Sequence, residues 1–199
     1  MKLRNTFLLS LILVLIFVCG STAAKAAAPT EAIRAAVNQG LEILKNAKLD
    51  NPTQRAQVID RLRQIVYPLF DFNEMAMRSM GTNWRRLNPE QRKEFVSTFT
   101  ALLEKTYADQ IDVYKGQQVT YKGEKLDGDY AEVDSRIIDK GDKTYSVVYK
   151  LHNVDSKWRI YDVVAENISL VGNYRSQFER VLGKSSVEEL LKTMKERAS

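Results

Sequence analysis

His152 and Cys19 are the single histidine and the single cysteine of this 199-residue chain, and that scarcity limits the chemistry open to it. A zinc site, a Cys–His nucleophile or a Ser–His–Asp triad each needs clustered partners that these two residues lack. His152 stands between Leu151 and Asn153 at an expected hairpin end and reads as a solvated turn residue. Two carboxylates adjoin aromatic residues, in Tyr161-Asp162 and in Phe70-Asp71-Phe72. Buried beside a tyrosine, such a carboxylate can act as general base on a hydrophobic substrate, because burial raises its pKa. The plainer reading makes Asp71 a helix cap and Asp162 a strand-edge hydrogen-bonding residue, since neither shows a second acid or base partner. Trp84-Arg85-Arg86 could meet phosphate, as guanidinium groups fork onto phosphate oxygens and stack on aromatic faces. Two arginines do not make a nucleic-acid-binding stripe. An anionic head group, a partner surface, or a tryptophan packed beneath two solvated arginines all fit the trio. No catalytic residue and no metal-ligand set is assigned.

The stronger signal is apolar surplus. Phe70, Phe72, Met75, Met77, Met80 and Trp84 crowd one short segment; Phe95, Phe99 and Tyr107 share a helix face, and Tyr174 and Phe178 recur near the C-terminus. Long, adaptable Met and aromatic side chains on short helices suit an adaptable apolar pocket. An ordinary core uses the same residues, and periodicity alone does not separate a filled core from a lined cavity.

The first residues form a unit of their own. Lys2 and Arg4 precede an apolar run from Phe7 to Cys19, followed by small residues that include Ala24-Lys25-Ala26 and Ala26-Ala27-Ala28. This pattern is that of a secretory signal peptide, residues 1–26, with cleavage after Ala26 or Ala28. The run is shorter than the roughly 20 residues of a spanning helix. Lipidation at Cys19 is the less favoured alternative, because Ile16-Phe17-Val18 lacks the small residue expected before a lipidated cysteine. Removing the leader takes away three cations and no acidic residue, so the formal charge falls from +5 to about +2. The basic pI therefore belongs largely to the leader, and the nucleic-acid reading goes with it. The mature chain would be cysteine-free and must rely on a core rather than on disulfides.

The elements that follow form one domain, 27–199, with a helical part over about 30–115, a sheet over about 117–166 and closing helices over about 168–197. Ile33, Val37, Leu41 and Leu44 make an amphipathic stripe; Asn51-Pro52 opens a second helix carrying Val58, Ile59, Leu62, Ile65 and Val66, which Pro68 should end. Asp71 and Gly81 bracket a short third helix. Asn88, Pro89 and Gln91 mark the start of a fourth, with Phe95, Phe99, Leu102, Leu103, Tyr107, Ile111 and Tyr114 inward and Gly116 as its end. Alternation then switches to period 2 through four antiparallel strands, with turns at Asp127-Gly128-Asp129 and Asp139-Lys140-Gly141-Asp142. Leu170 to Leu182, stopped by Gly183, and a Ser186…Glu189 capping box give two last helices. The fold class is α+β: a curved four-stranded antiparallel sheet with helices on one face, plus a helical lobe, a cone-like arrangement that can enclose an apolar pocket.

From Phe70 onward the chain resembles the MlaC-like family of periplasmic phospholipid-binding proteins, also called toluene-tolerance or organic-solvent-resistance auxiliary proteins. Phe70-Asp71-Phe72 with Met75 and Gly81, Trp84-Arg85, and Pro89-Glu90-Gln91-Arg92 with Phe95 and Phe99 carry the likeness. So do Trp158-Arg159-Ile160-Tyr161-Asp162-Val163, Ser169-Leu170-Val171 and Asn173-Tyr174-Arg175-Ser176-Gln177-Phe178. It runs from about Ala32 to Met194. Asn167 departs from the family's usual Gly in an E-G-[V/I]-S stretch, and Asn tolerates the left-handed turn better than other side chains.

The resemblance implies a monomeric, non-enzymatic periplasmic carrier with no cofactor beyond a bound glycerophospholipid. It would shuttle lipid between an outer-membrane lipoprotein complex and an inner-membrane ABC transporter with a substrate-binding ring. Carried over onto matching positions, the acyl-chain contacts are Phe72, Met75, Trp84, Phe99, Leu103, Tyr107, Val147, Tyr149, Val163, Ile168, Leu170 and Tyr174. Arg85 and Arg175 are candidates for a head group or a docking surface, although Arg175 could equally pair with a carboxylate. A glutamate at position 168 is expected to expel lipid. Two acyl chains ask for roughly 1,000 Å³, the upper end of ordinary ligand pockets, so helices would have to part from the sheet around them. Two other readings stay open. One is an enzyme on a fold like that of nuclear transport factor two, with Asp162 or Asp71 as base. The other is a docking or chaperone module using the Met/aromatic segment.

Overall fold

The computed structural model describes residues 28–47, 49–108 and 114–199. The leader, the cleavage point after Ala26, Cys19 and the Ile111 end of the fourth helix lie outside the described residues. Two helices come first. α1 (Pro29–Lys45) buries Ile33, and α2 (Pro52–Val66) starts where Asn51 accepts the Gln54 N–H. Pro68 ends α2 in a 3₁₀ turn over Tyr67–Leu69, because proline supplies no donor to continue the ladder. α3 (Phe72–Met80) is capped by Asp71, which accepts the Glu74 N–H at 2.9 Å. A 3₁₀ turn, Gly81–Arg86, leads to α4 (Pro89–Ala108). There Asn88 and Gln91 exchange hydrogen bonds reciprocally, 3.0 and 2.8 Å, which satisfies two otherwise orphaned donors. The fourth helix is expected to reach Tyr114; α4 is described as far as Ala108, and Tyr114 is not helical.

The sheet runs β1 (Gln118–Asp127), β2 (Tyr130–Ile138), β3 (Thr144–Val154), β4 (Lys157–Ala165) and β5 (Ile168–Ser169), each antiparallel to the next. It is thus a five-stranded sheet rather than the four-stranded meander expected. The added strand is two residues long, too short for alternation to mark it. It forms because Glu166 and Asn167 both take positive φ, 48° and 66°, and turn the chain back onto β4. Asn167 therefore holds the left-handed turn in which glycine was expected. Phe70 bridges Ile160, and the Asp71 N–H donates to the Ile160 carbonyl, so β4 is covered at both ends of its outer side. β1 is bulged between Tyr121 and Gly123 and is largely exposed.

α5 (Leu170–Leu182) and α6 (Val187–Ala198) close the chain, capped by Ser169 and Ser186. Two apolar cores result. One joins α3, α4, α5 and α6 through Met75, Met80, Phe95, Phe99, Tyr174, Phe178, Leu190 and Met194. The other lays Ile33 of α1 on Ala131, Val133, Leu151 and Ile160 of the sheet. Burying each large side chain contributes about 1.5–3 kcal/mol, so both cores hold firmly. Phe70 packs against both.

Candidate lipid cavity

Between the two cores lies a cavity of about 660 Å³. Its floor is the inner face of β3 and β4, where Tyr149 sits opposite Val163 in register and Ala165 follows two residues on. α3 adds Phe72 and Met75, and α4 adds Thr100, Leu103, Glu104, Tyr107 and Ala108. Ile168 and Leu170 line it from β5 and the start of α5, with Asn173 on α5. The remaining wall is α2, through Ile59, Leu62 and Val66. Val66, Tyr107 and Ile168 line the hollow yet are also exposed, which marks them as its mouth. Burial pushes the Tyr149 and Tyr107 hydroxyls up from their ordinary pKa, as a water-poor wall requires.

Of the positions expected at the acyl chains, Phe72, Met75, Leu103, Tyr107, Tyr149, Val163, Ile168 and Leu170 are brought together on this lining. Trp84, Phe99, Val147 and Tyr174 are not on it. Trp84 packs edge-on to Phe95, with the Arg92 guanidinium 5.4 Å from its ring centroid. Phe99 and Tyr174 belong to the four-helix core, ring centroids 5.1 Å apart, and Val147 is buried opposite Ser135 on the sheet. Ile168 is 64% exposed, so a glutamate there would stand in water, and its expected effect on lipid shrinks accordingly.

Arg85 is exposed on the 3₁₀ turn, and Arg175 donates from Nε to Glu179 at 2.9 Å; neither lines the cavity. Arg175 instead lies over Gly81, where an added Cβ would come within 2.9 Å of its Nε. Gly81 has φ 54° and ψ −132°, a region essentially closed to side chains. Gly81→Ala is therefore expected to cost about 1–3 kcal/mol, read as a lower urea midpoint with an unchanged slope.

The cavity's own polar groups were missed from the sequence. Arg63 on α2 donates from Nε to Glu104 Oε1 at 2.9 Å, with a second bond from its Nη2, and Tyr67 donates to Glu104 Oε2 at 2.7 Å. Arg63 also pairs with Asp60 of its own helix. The Arg63 hydrogen bond holds the Glu104 carboxyl below the usual carboxylate range, while burial and the bond to Glu104 raise the Tyr67 hydroxyl. A carboxylate so held is a poor general base. Arg63 and Tyr67 stand one helical turn apart, but nothing in the spacing announced their partner, since Glu104 lies 41 and 37 residues further on. The apolar stripe of α2 was visible, but not what it faced.

The other carboxylates have structural work. Asp162 is 7% exposed and accepts from Ser169 Oγ at 2.6 Å and from the Val171 N–H at 3.0 Å, tying β4 to the first turn of α5. Asp71 caps α3 with one oxygen and meets His152 Nε2 with the other at 3.0 Å. The solvated-turn reading of His152 is thereby corrected: it lies within β3, partly buried, ringed by Tyr130 and Tyr161. Neither Asp71 nor Asp162 lines the cavity, so the general-base reading has neither of its two carboxylates where an apolar substrate would sit, and the carboxylate that does line it, Glu104, is tied to Arg63 and Tyr67. Among the described residues, no group of three His, Cys, Asp or Glu side chains could hold a metal, and no helix is long and apolar enough to cross a membrane.

A family profile for MlaC protein matches residues 34–196, which take in the four-helix core, every wall of the cavity and all of the sheet core but Ile33. The chain belongs to the MlaC family. It is 24% identical over 143 residues to the intermembrane phospholipid transport system binding protein MlaC of Haemophilus influenzae, covering 69% of this chain and 67% of that one. It is 25% identical over 152 residues to the toluene tolerance protein ttg2D of Pseudomonas putida, covering 75% and 71%. Its fold is similar to that of a phospholipid-binding protein from Ralstonia solanacearum solved in complex with a phospholipid. The TM-score is 0.75 at 24% identity, over 86% of this chain and 97% of the other. The α+β architecture is thus the MlaC fold.

Proposed function

We propose that this chain is a periplasmic phospholipid carrier that shields acyl chains in the cavity between its two cores and performs no chemistry on them. The observation that carries the reading is the 660 Å³ apolar hollow, in a fold that holds a phospholipid in the Ralstonia solanacearum relative. At about 0.8 kcal/mol per CH₂, a diacyl lipid of some thirty methylenes would need on the order of 24 kcal/mol to enter water unshielded. An apolar lining nearly cancels that cost, so transfer becomes a balanced exchange with no need of a reaction centre.

The tails would lie against Phe72, Met75, Leu103, Tyr149 and Val163 and leave past Tyr107, Ile168 and Leu170. The hollow is smaller than the roughly 1,000 Å³ that two chains ask for, so full loading widens the gap between the helices and the sheet. Val66, Tyr107 and Ile168 gather at the mouth, whereas Met77 is the one residue of the Met/aromatic segment among the exposed large apolar side chains, which favours a carrier over a chaperone that binds through that segment. A cleaved leader over residues 1–26 would deliver the chain to the periplasm. There an outer-membrane lipoprotein complex and an inner-membrane ABC transporter would be its donor and acceptor. Native mass spectrometry of the exported chain is expected to show phospholipid bound to it. A delipidated chain that takes up no phospholipid from vesicles would sink the proposal.

A further inference from the structure

We propose that Arg63, Tyr67 and Glu104 form a latch that holds α2 across the cavity, and that releasing it sets the rate at which lipid leaves; this rests on the carrier reading. α2 packs on α1 and runs into the 3₁₀ turn at Pro68, but its apolar inner side faces hollow space. Ile59, Leu62 and Val66 therefore gain little dispersion attraction from the opposite wall, because side chains lining a void lack partner atoms there. Arg63 and Tyr67 instead reach over to α4, 41 and 37 residues along the chain, and both end on Glu104. These charge-assisted hydrogen bonds fix the width of the mouth on this side.

The ends of α2 suit a moving element. Asn51-Pro52 begins it and Pro68 interrupts it, so each end is a break in the helical ladder. Arg63 and Glu104 side chains are 39% and 30% exposed, so water can replace each partner when the latch opens. Release thus leaves no charge stranded in an apolar wall, and the latch can work reversibly. Its charge also says what it is not. Arg63 faces two carboxylates, Asp60 and Glu104, so the cluster carries net negative charge and disfavours a lipid phosphate. It holds protein to protein, not head group to protein.

Glu104→Gln is expected to speed transfer of a fluorescent phospholipid from loaded protein to phosphatidylcholine vesicles about tenfold, the factor that corresponds to about 1.4 kcal/mol. Asp60→Asn should change the rate less than twofold, because Asp60 sits on the same helix as Arg63 and bridges nothing. A second measurement needs no lipid. The chain carries no cysteine after Cys19, so spin labels at Gln57→Cys and Ala101→Cys, both exposed, report the spacing of α2 and α4 in the leader-free protein. Their distance distribution should broaden and lengthen in Glu104→Gln and not in Asp60→Asn. An unchanged distribution in Glu104→Gln, or equal effects of the two substitutions, overturns the latch. Failure of the parent protein to load lipid overturns the carrier reading instead, and the label distances still decide whether α2 is held by Glu104.

Discussion

Val163→Glu is expected to strip the protein of copurifying phospholipid while leaving it folded. Val163 lies near the C-terminal end of β4, opposite Tyr149, with its side chain on the cavity floor. A carboxylate there would face hydrocarbon whenever a tail is bound, and an ion deprived of water in that way costs several kcal/mol. In the empty cavity, which opens at Val66, Tyr107 and Ile168, water can reach the same carboxylate, so the penalty falls on the loaded state. Circular dichroism should show an intact fold, and lipid extraction should recover less than a tenth of the parent's phospholipid per mole. A glutamate at Ile168, two-thirds exposed, should give a much smaller loss. Equal lipid content in Val163→Glu and the parent would remove the cavity floor from the binding site.

Phe99→Ala should act on stability instead. Phe99 is fully buried, stacks on Phe95 at 6.0 Å, and meets Tyr174 and Phe178 edge-on at 5.1 and 5.7 Å. Four helices converge on these rings, so truncation leaves a void that no single side chain can swing to fill. The expected loss is about 3–5 kcal/mol, the usual range for a large aromatic deleted from a core. Urea unfolding followed by tryptophan fluorescence measures it, and lipid per folded molecule should stay near the parent value. A loss below about 1 kcal/mol together with lost lipid would return Phe99 to the cavity wall.

The pairing of these two predictions shows what was legible in the sequence. Phe99 and Val163 look alike there: both are apolar, periodic and inside a family motif. What separates them is the neighbour across the gap, a ring cluster for one and empty space for the other, and chain spacing does not encode that. Local signals fared better. The Asn88…Gln91 exchange, the Asp71 and Ser186 caps and the left-handed Asn167 all depend on residues within a few positions of one another, and each was readable. Long-range polar contacts were not. His152 finds Asp71 from 81 residues away, and Arg63 finds Glu104 from 41, through folding of the whole domain. α2 shows the division most plainly. Its apolar stripe predicted burial against something, and the stripe looks onto the hollow.

The bulge in β1 has a bearing on how such a protein survives its task. A carrier with a partly open apolar interior is exposed to self-association, and an unpaired sheet edge is the usual place for that to begin. The inner side of β4 is paired with β3 and its outer side is covered by Phe70 and β5, which leaves β1 as the free edge. There the bulge at Tyr121–Gly123 breaks the regular ladder, and Lys122, Glu124 and Lys125 place alternating charge along the exposed stretch. A second copy that tried to extend the sheet would meet a kinked template, the exposed Lys122 and Lys125, and a Glu124 already held by the N–H and hydroxyl of Thr30 on α1. The fold thus gathers its apolar hollow on the inside, where it is of use, and makes the β1 border a poor mate.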